Sequence, residues 1–143
     1  MDGLSSAATV IAVIQLADRI LAICGKYATA VKDAKKDVEH LSQEVKSVTE
    51  VLKKLDELLS GPNGAKLSAS QELRKALTDC VSELEALEDR LGLGNGRKIM
   101  RRFGLRALKW PFEREEVEKV IKNLERCKQL FTLALQADQT YVI

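Results

Sequence analysis

The side chains able to do chemistry in this chain of 143 residues are three cysteines, one histidine and 21 carboxylates. Cys24, Cys80 and Cys127 would act as nucleophiles or metal ligands only as thiolates. They are odd in number and far apart, and each falls on the apolar side of a helical pattern. That reads as buried, reduced thiols of an intracellular protein rather than a disulfide framework. No C-x-x-C spacing accompanies them, and with His40 as the sole histidine a zinc site has no support. His40 stands beside Leu41 in a helical pattern and reads as a boundary residue, not a base. The carboxylates alternate with lysines along helix faces, as a solvated surface does. Neither a phosphate-cradling glycine loop nor a G-x-S-x-G elbow is present. These residues point to no enzyme, no cofactor, no metal and no small-molecule substrate.

Two stretches are unusual for what they would do to a membrane. Residues 97–112, RKIMRRFGLRALKWPF, hold six cations and no acid. The six are Arg97, Lys98, Arg101, Arg102, Arg106 and Lys109, and without them the chain would carry −4 instead of its net +2. As a helix the segment would turn Ile99, Met100, Phe103, Ala107 and Trp110 away from much of the basic set. Such a surface suits anionic lipid, each cation near it contributing about 1 kcal/mol. The aromatics also fit a second role, in which Trp110 and Phe112 plug one end of a bundle. No nucleic-acid fold signature accompanies the cations.

The other stretch is residues 4–24, LSSAATVIAVIQLADRILAIC, with nine Leu, Ile or Val residues and only two charges, Asp18 and Arg19. On a helical wheel Ser5, Ala8, Ala12, Gln15, Asp18 and Arg19 form a narrow small-or-polar stripe. Leu4, Val10, Ile11, Val13, Ile14, Leu16, Ile20, Leu21 and Ile23 cover most of the remainder. A helix apolar over so much of its circumference belongs in a protein core or a bilayer. Its length, about 31 Å, is close to the roughly 30 Å of a hydrocarbon layer. Nine aliphatics contribute roughly −3 to −5 kcal/mol to insertion, while Asp and Arg each cost up to about +3 kcal/mol near the middle. The terms nearly cancel. Such a helix does not insert alone, but oligomerisation that lets Asp18 and Arg19 face one another or a pore would drive it in. The same pattern also fits the central helix of a soluble bundle.

The elements that must position these stretches are helical throughout. Val31, Val38, Leu41, Val45, Val48, Leu52, Leu55 and Leu59 predict one long helix, with Val51 and Leu58 broadening its apolar face. The Ser60-Gly61-Pro62-Asn63-Gly64 run ends it. Ser68 with Gln71 suggests a capping box for a third helix through Leu73, Leu77, Cys80, Val81, Leu84, Leu87 and Leu91. The short connection predicts that the second and third helices are antiparallel neighbours. Pro111 is expected in the first turn of a last helix, with Glu113, Glu115 and Glu116 at its positive end. That helix runs through Val117, Val120, Ile121, Leu124, Cys127, Phe131, Ala134 and Leu135.

The fold class expected is therefore all-α, a helical bundle of four long helices plus a short basic amphipathic segment. Length allows one domain, residues 1–143, with a real core. Forty-five per cent hydrophobic and 31% charged residues exclude disorder and a chain that is membrane-spanning throughout. The near-neutral balance argues against nucleic-acid coating. The start lacks the basic region of a secretory signal, so a cytosolic protein is expected. The tail from Gln136 carries no stop signal, and the domain is expected to be the N-terminal part of something larger.

The opening MDGLSSAATVIAVIQLADRILAICGKY, the following VKDAKKDVEHLSQEVKSVTEVLKKLDELL and above all LKWPFEREEVEKVIKNLERCKQLFTLALQADQ resemble the N-terminal HeLo-like helical domain of fungal NLR-like STAND proteins. The LKWPF box with the charged helix ending in LALQxD is the most specific part. The resemblance implies a bundle akin to HeLo domains and to the four-helix domain of mixed lineage kinase domain-like proteins. It implies an effector of innate immunity, heterokaryon incompatibility and programmed cell death, clustered by nucleotide-dependent assembly elsewhere in the protein. Residues 4–24 would then be the membrane-acting element. The domain would be cytoplasmic at rest and at the cell membrane when active, its partners being itself and anionic lipids. The alternative is a non-lytic module that only self-associates or docks a protein partner.

Overall fold

The computed structural model describes residues 6–62, 64–68, 70–92 and 109–142, and among these every regular element is helical, as the sequence requires. Helix α1 spans Ser6–Ala30. It runs past the apolar stretch because Tyr27 is buried and Ala28 and Ala30 pack against the core. Gly25 does not stop it, since an interior glycine costs a helix only about 1 kcal/mol. The chain reverses at Val31, whose backbone is extended, and passes through a 3-10 turn over Lys32–Ala34 into α2, Lys35–Leu59. The seam expected to start at Val31 thus begins in earnest at Val38. From there Val38, Leu41, Val45, Val48, Leu52 and Leu55 are all buried, at the three-and-four spacing that the sequence shows.

A short helix the sequence did not announce, α3 over Gly64–Ser68, follows α2. Helix α4 covers Gln71–Leu91. The expected Ser68 capping box is corrected: Ser70 is the cap, its Oγ accepting from the Leu73 N–H at 3.2 Å. Ser68 instead ends α3 and offers its carbonyl to the Ser6 hydroxyl and to Arg74 Nε, both at 3.1 Å. Gly92, at φ 69°, closes α4 in the left-handed conformation that suits glycine. Helix α5 covers Arg114–Val142. Pro111 lies ahead of its first turn, not in it, and the helix start is closed by Glu116, whose Oε1 accepts from the Glu113 N–H at 3.1 Å. That is one half of a capping box.

Four pairings hold the long helices together: α1 with α2, α2 with α5, α5 with α4, and α4 with α1. Expectation placed α2 beside α4, and this is corrected. The segment between them contains α3, which contacts both, and it carries the chain across the diagonal of the bundle. Directions follow from cross-links. Ser6 meets Ser68, Arg19 meets Glu88 and Tyr27 meets Leu91, so α1 and α4 are parallel. Asp37 meets Arg114 and Glu44 meets Lys128, so α2 and α5 are parallel as well. Glu83 meets Asn123 and Arg90 meets Glu116, so α4 and α5 are antiparallel. All four contribute to one core, with Ile20, Leu41, Leu52, Leu84, Leu124 and Phe131 among its fully enclosed side chains.

Candidate functional site

Helix α1 occupies a corner of the bundle, packed on α2 and α4. Among the described residues it is the one helix long and apolar enough to cross a membrane, a property it shares with core helices of soluble proteins. Its apolar residues fall into three sets. Val10, Val13, Leu16, Ile20 and Ile23 are buried in the core, and Ile14 and Leu21 are half-buried against it. Ile11, which the wheel grouped with the apolar majority, is 47% exposed. It joins Ala12, Gln15, Asp18, Arg19 and Ala22 on a solvent-facing stripe. Leu4 lies outside the described residues.

Three contacts clasp α1 to the chain that follows α2. At its start the Ser6 hydroxyl donates to the Ser68 carbonyl. Near its middle Arg19 Nε lies 3.1 Å from Glu88 Oε2. Toward its end the Tyr27 hydroxyl donates to the Leu91 carbonyl at 2.8 Å, in a buried bond. An open groove of about 420 Å³ runs between α1 and α4, lined by Ala12, Gln15 and Arg19 on one side and Val81, Glu85 and Glu88 on the other. Its lining is mixed in charge, with no convergent set of groups that would perform a reaction.

The cationic segment is placed at one end only. Arg97, Lys98, Arg101, Arg102 and Arg106 lie outside the described residues, and Lys109 is exposed. The aromatics that follow close the end of the bundle where α1 and α4 finish. Trp110 is half-buried, edge-on to Tyr27 at 5.3 Å and to Phe112 at 5.2 Å between ring centres. Arg90 stacks its guanidinium 4.7 Å above the Phe112 ring while its Nη2 donates to the Pro111 carbonyl at 2.7 Å. This end-plug was one of the two roles expected for Trp110 and Phe112. Arg90 and Tyr27, which complete it, were missed; the signal available was the lone aromatic late in an otherwise aliphatic helix.

All three cysteines are buried, as their apolar positions predict. Burial pushes the Cys24 pKa up, with Ser42 on α2 opposing the shift. Cys80 and Cys127 are neighbours across the α4–α5 seam, and each shifts the other's pKa, Cys80 upward and Cys127 downward. Among the described residues no group of three or more His, Cys, Asp or Glu is placed to hold a metal ion. No family model matches the chain, and no curated protein or solved structure matches it either.

Proposed function

We propose that this chain is a non-catalytic signalling domain, a HeLo-like bundle of four long helices at the effector end of a fungal NLR-like receptor. It mediates regulated cell death by self-association and membrane targeting through α1, moving from the cytoplasm to anionic lipid on activation. The observation that carries this reading is the position of α1. A helix of membrane-spanning length sits at a corner, clasped at three points but not enclosed, with Ile11 already facing water.

Magnitudes set how it would work. Five buried aliphatics at about 1.5–3 kcal/mol each hold α1 in place by roughly 8–15 kcal/mol. That is the size of a whole domain's stability, so a lone subunit keeps its α1. Clustering must supply the difference, and the cations from Arg97 to Lys109 would add attraction to an anionic surface. The test is dye leakage from anionic phospholipid vesicles by the oligomerised chain. Leakage is expected, and Ile11→Asp with Ile14→Asp should abolish it; equal leakage from that variant would sink the proposal. Replacing Arg101, Arg102 and Arg106 by Glu should remove co-sedimentation with the vesicles.

A second reading, a non-lytic interaction module, draws support from α5. Leu133 is 59% exposed and Leu130, one turn away, 37%. Concentration-dependent oligomers without lipid binding, lost on Leu133→Asp, would favour it.

A further inference from the structure

Two of the three thiols are brought together by the fold. Helices α4 and α5 run antiparallel, and their register is set by Asn123 Nδ2 to Glu83 Oε1 at 3.0 Å and Arg90 to Glu116 at 2.8 Å. One turn from Glu83 along α4 is Cys80, and one turn from Asn123 along α5 is Cys127. The antiparallel register therefore sets the two thiols opposite each other, on the core side of both helices. Cys80 is fully enclosed and Cys127 is 5% exposed, at the margin of the seam. Cys24 lies on α1, which pairs with α2 and α4 and not with α5, so it does not compete for Cys127.

We infer that Cys80 and Cys127 form a dithiol site that a peroxide oxidises to an intramolecular disulfide, stapling α4 to α5. Disulfide formation requires two thiols held opposite each other on neighbouring elements, and the antiparallel register of α4 and α5 places this pair so. The roles differ. Cys127 is the thiol nearer solvent, and the neighbouring Cys80 holds its pKa below the ordinary thiol value. Cys80 is pushed up by Cys127 and by burial, so it keeps its proton. The Cys127 thiolate attacks hydrogen peroxide: an S–O bond forms, the O–O bond breaks, and hydroxide leaves to take up the proton Cys127 lost. Cys80 sulfur then attacks the resulting sulfenic acid. The S–S bond forms, the S–O bond breaks, and the departing hydroxyl leaves as water with the Cys80 proton. Two thiols are oxidised and one peroxide is reduced to two waters. The inference is independent of any action on membranes.

The test treats the full chain with hydrogen peroxide and maps its peptides without reduction. A linked pair containing Cys80 and Cys127 is expected, at a mass lower by two hydrogens, and dithiothreitol should reverse it. The oxidised chain should melt higher by roughly 5–10 °C, as a cross-link between residues 47 apart in the sequence predicts. Cys24→Ala should leave the link intact. Cys80→Ala should abolish it and leave a Cys127 sulfenic acid that dimedone traps. An unchanged peptide map, a link involving Cys24, or disulfides only between chains would overturn the inference, and the wild-type map decides even if Cys80→Ala fails to fold.

Discussion

The hydroxyl of Tyr27 donates a 2.8 Å hydrogen bond to the backbone carbonyl of Leu91, joining the end of α1 to the last turn of α4 inside the protein. The ring packs edge-on to Trp110 and keeps that contact when the hydroxyl is removed. Tyr27→Phe therefore isolates the hydrogen bond. It should cost about 1–2 kcal/mol, because the buried carbonyl loses its donor. Thermal melting should fall by roughly 3–8 °C, and no shift would mean that the bond contributes nothing.

Two glycines should respond to alanine with opposite signs. A Cβ added at Gly25, inside α1, meets nothing within 4 Å. Gly25→Ala should stabilise by about 0.5–1 kcal/mol through helix propensity and a stiffer unfolded chain. At Gly64 the added Cβ would collide with the Leu59 backbone, its carbonyl oxygen first. Backbone cannot swing aside as a side chain does, so Gly64→Ala should destabilise by about 1–3 kcal/mol. Denaturant midpoints measure both, and equal signs would contradict the geometry.

Ion pairs at the two parallel seams should differ in strength. Arg19 and Glu88 are largely in water, their side chains 55% and 24% exposed. Arg19→Ala should cost at most about 1 kcal/mol and less in high salt. Lys128 lies 3.2 Å from Glu44 and donates to Ser47 Oγ at 3.0 Å, with the Glu44 side chain only 12% exposed. Lys128→Ala leaves that carboxylate sheltered without its cation, and a larger loss, about 1–3 kcal/mol, is expected. Urea unfolding of both variants at two salt concentrations separates them.

The acid limb of stability has a local contributor. Hydrogen bonds from Arg90, and then from the Glu113 N–H, lower the Glu116 pKa from its ordinary value near 4.5. A carboxylate whose folded pKa is depressed adds stability that is present above the unfolded value. That stability disappears as pH falls through the folded value. Glu116→Gln should therefore melt lower than wild type at neutral pH, and the two curves should converge as the medium is acidified below the ordinary carboxylate range. A constant gap down to low pH would show that Glu116 acts otherwise.

Helix identity and buried faces were legible because three-and-four spacing reports them directly; in α2 every seam residue from Val38 to Leu55 is buried. Partner choice was not. Nothing in residues 60–70 states that the chain crosses the bundle, and a Ser-x-x-Gln match at Ser68 competed with the true cap two residues later. Ile11 was misplaced because a wheel assigns it to an apolar arc but cannot show which arc the neighbours leave uncovered. The Cys80–Cys127 pairing was illegible for the same reason: inter-helix register is fixed by contacts such as Glu83 to Asn123, forty residues apart.

The diagonal passage from α2 to α4 divides the molecule into two helical hairpins laid against each other, α1 with α2 and α4 with α5. Of the four seams the one inside the first hairpin is the most extensive. The natural parting plane consequently falls between the hairpins, like the gutter of a book, and the first helix would swing away together with its neighbour more readily than it would peel off alone.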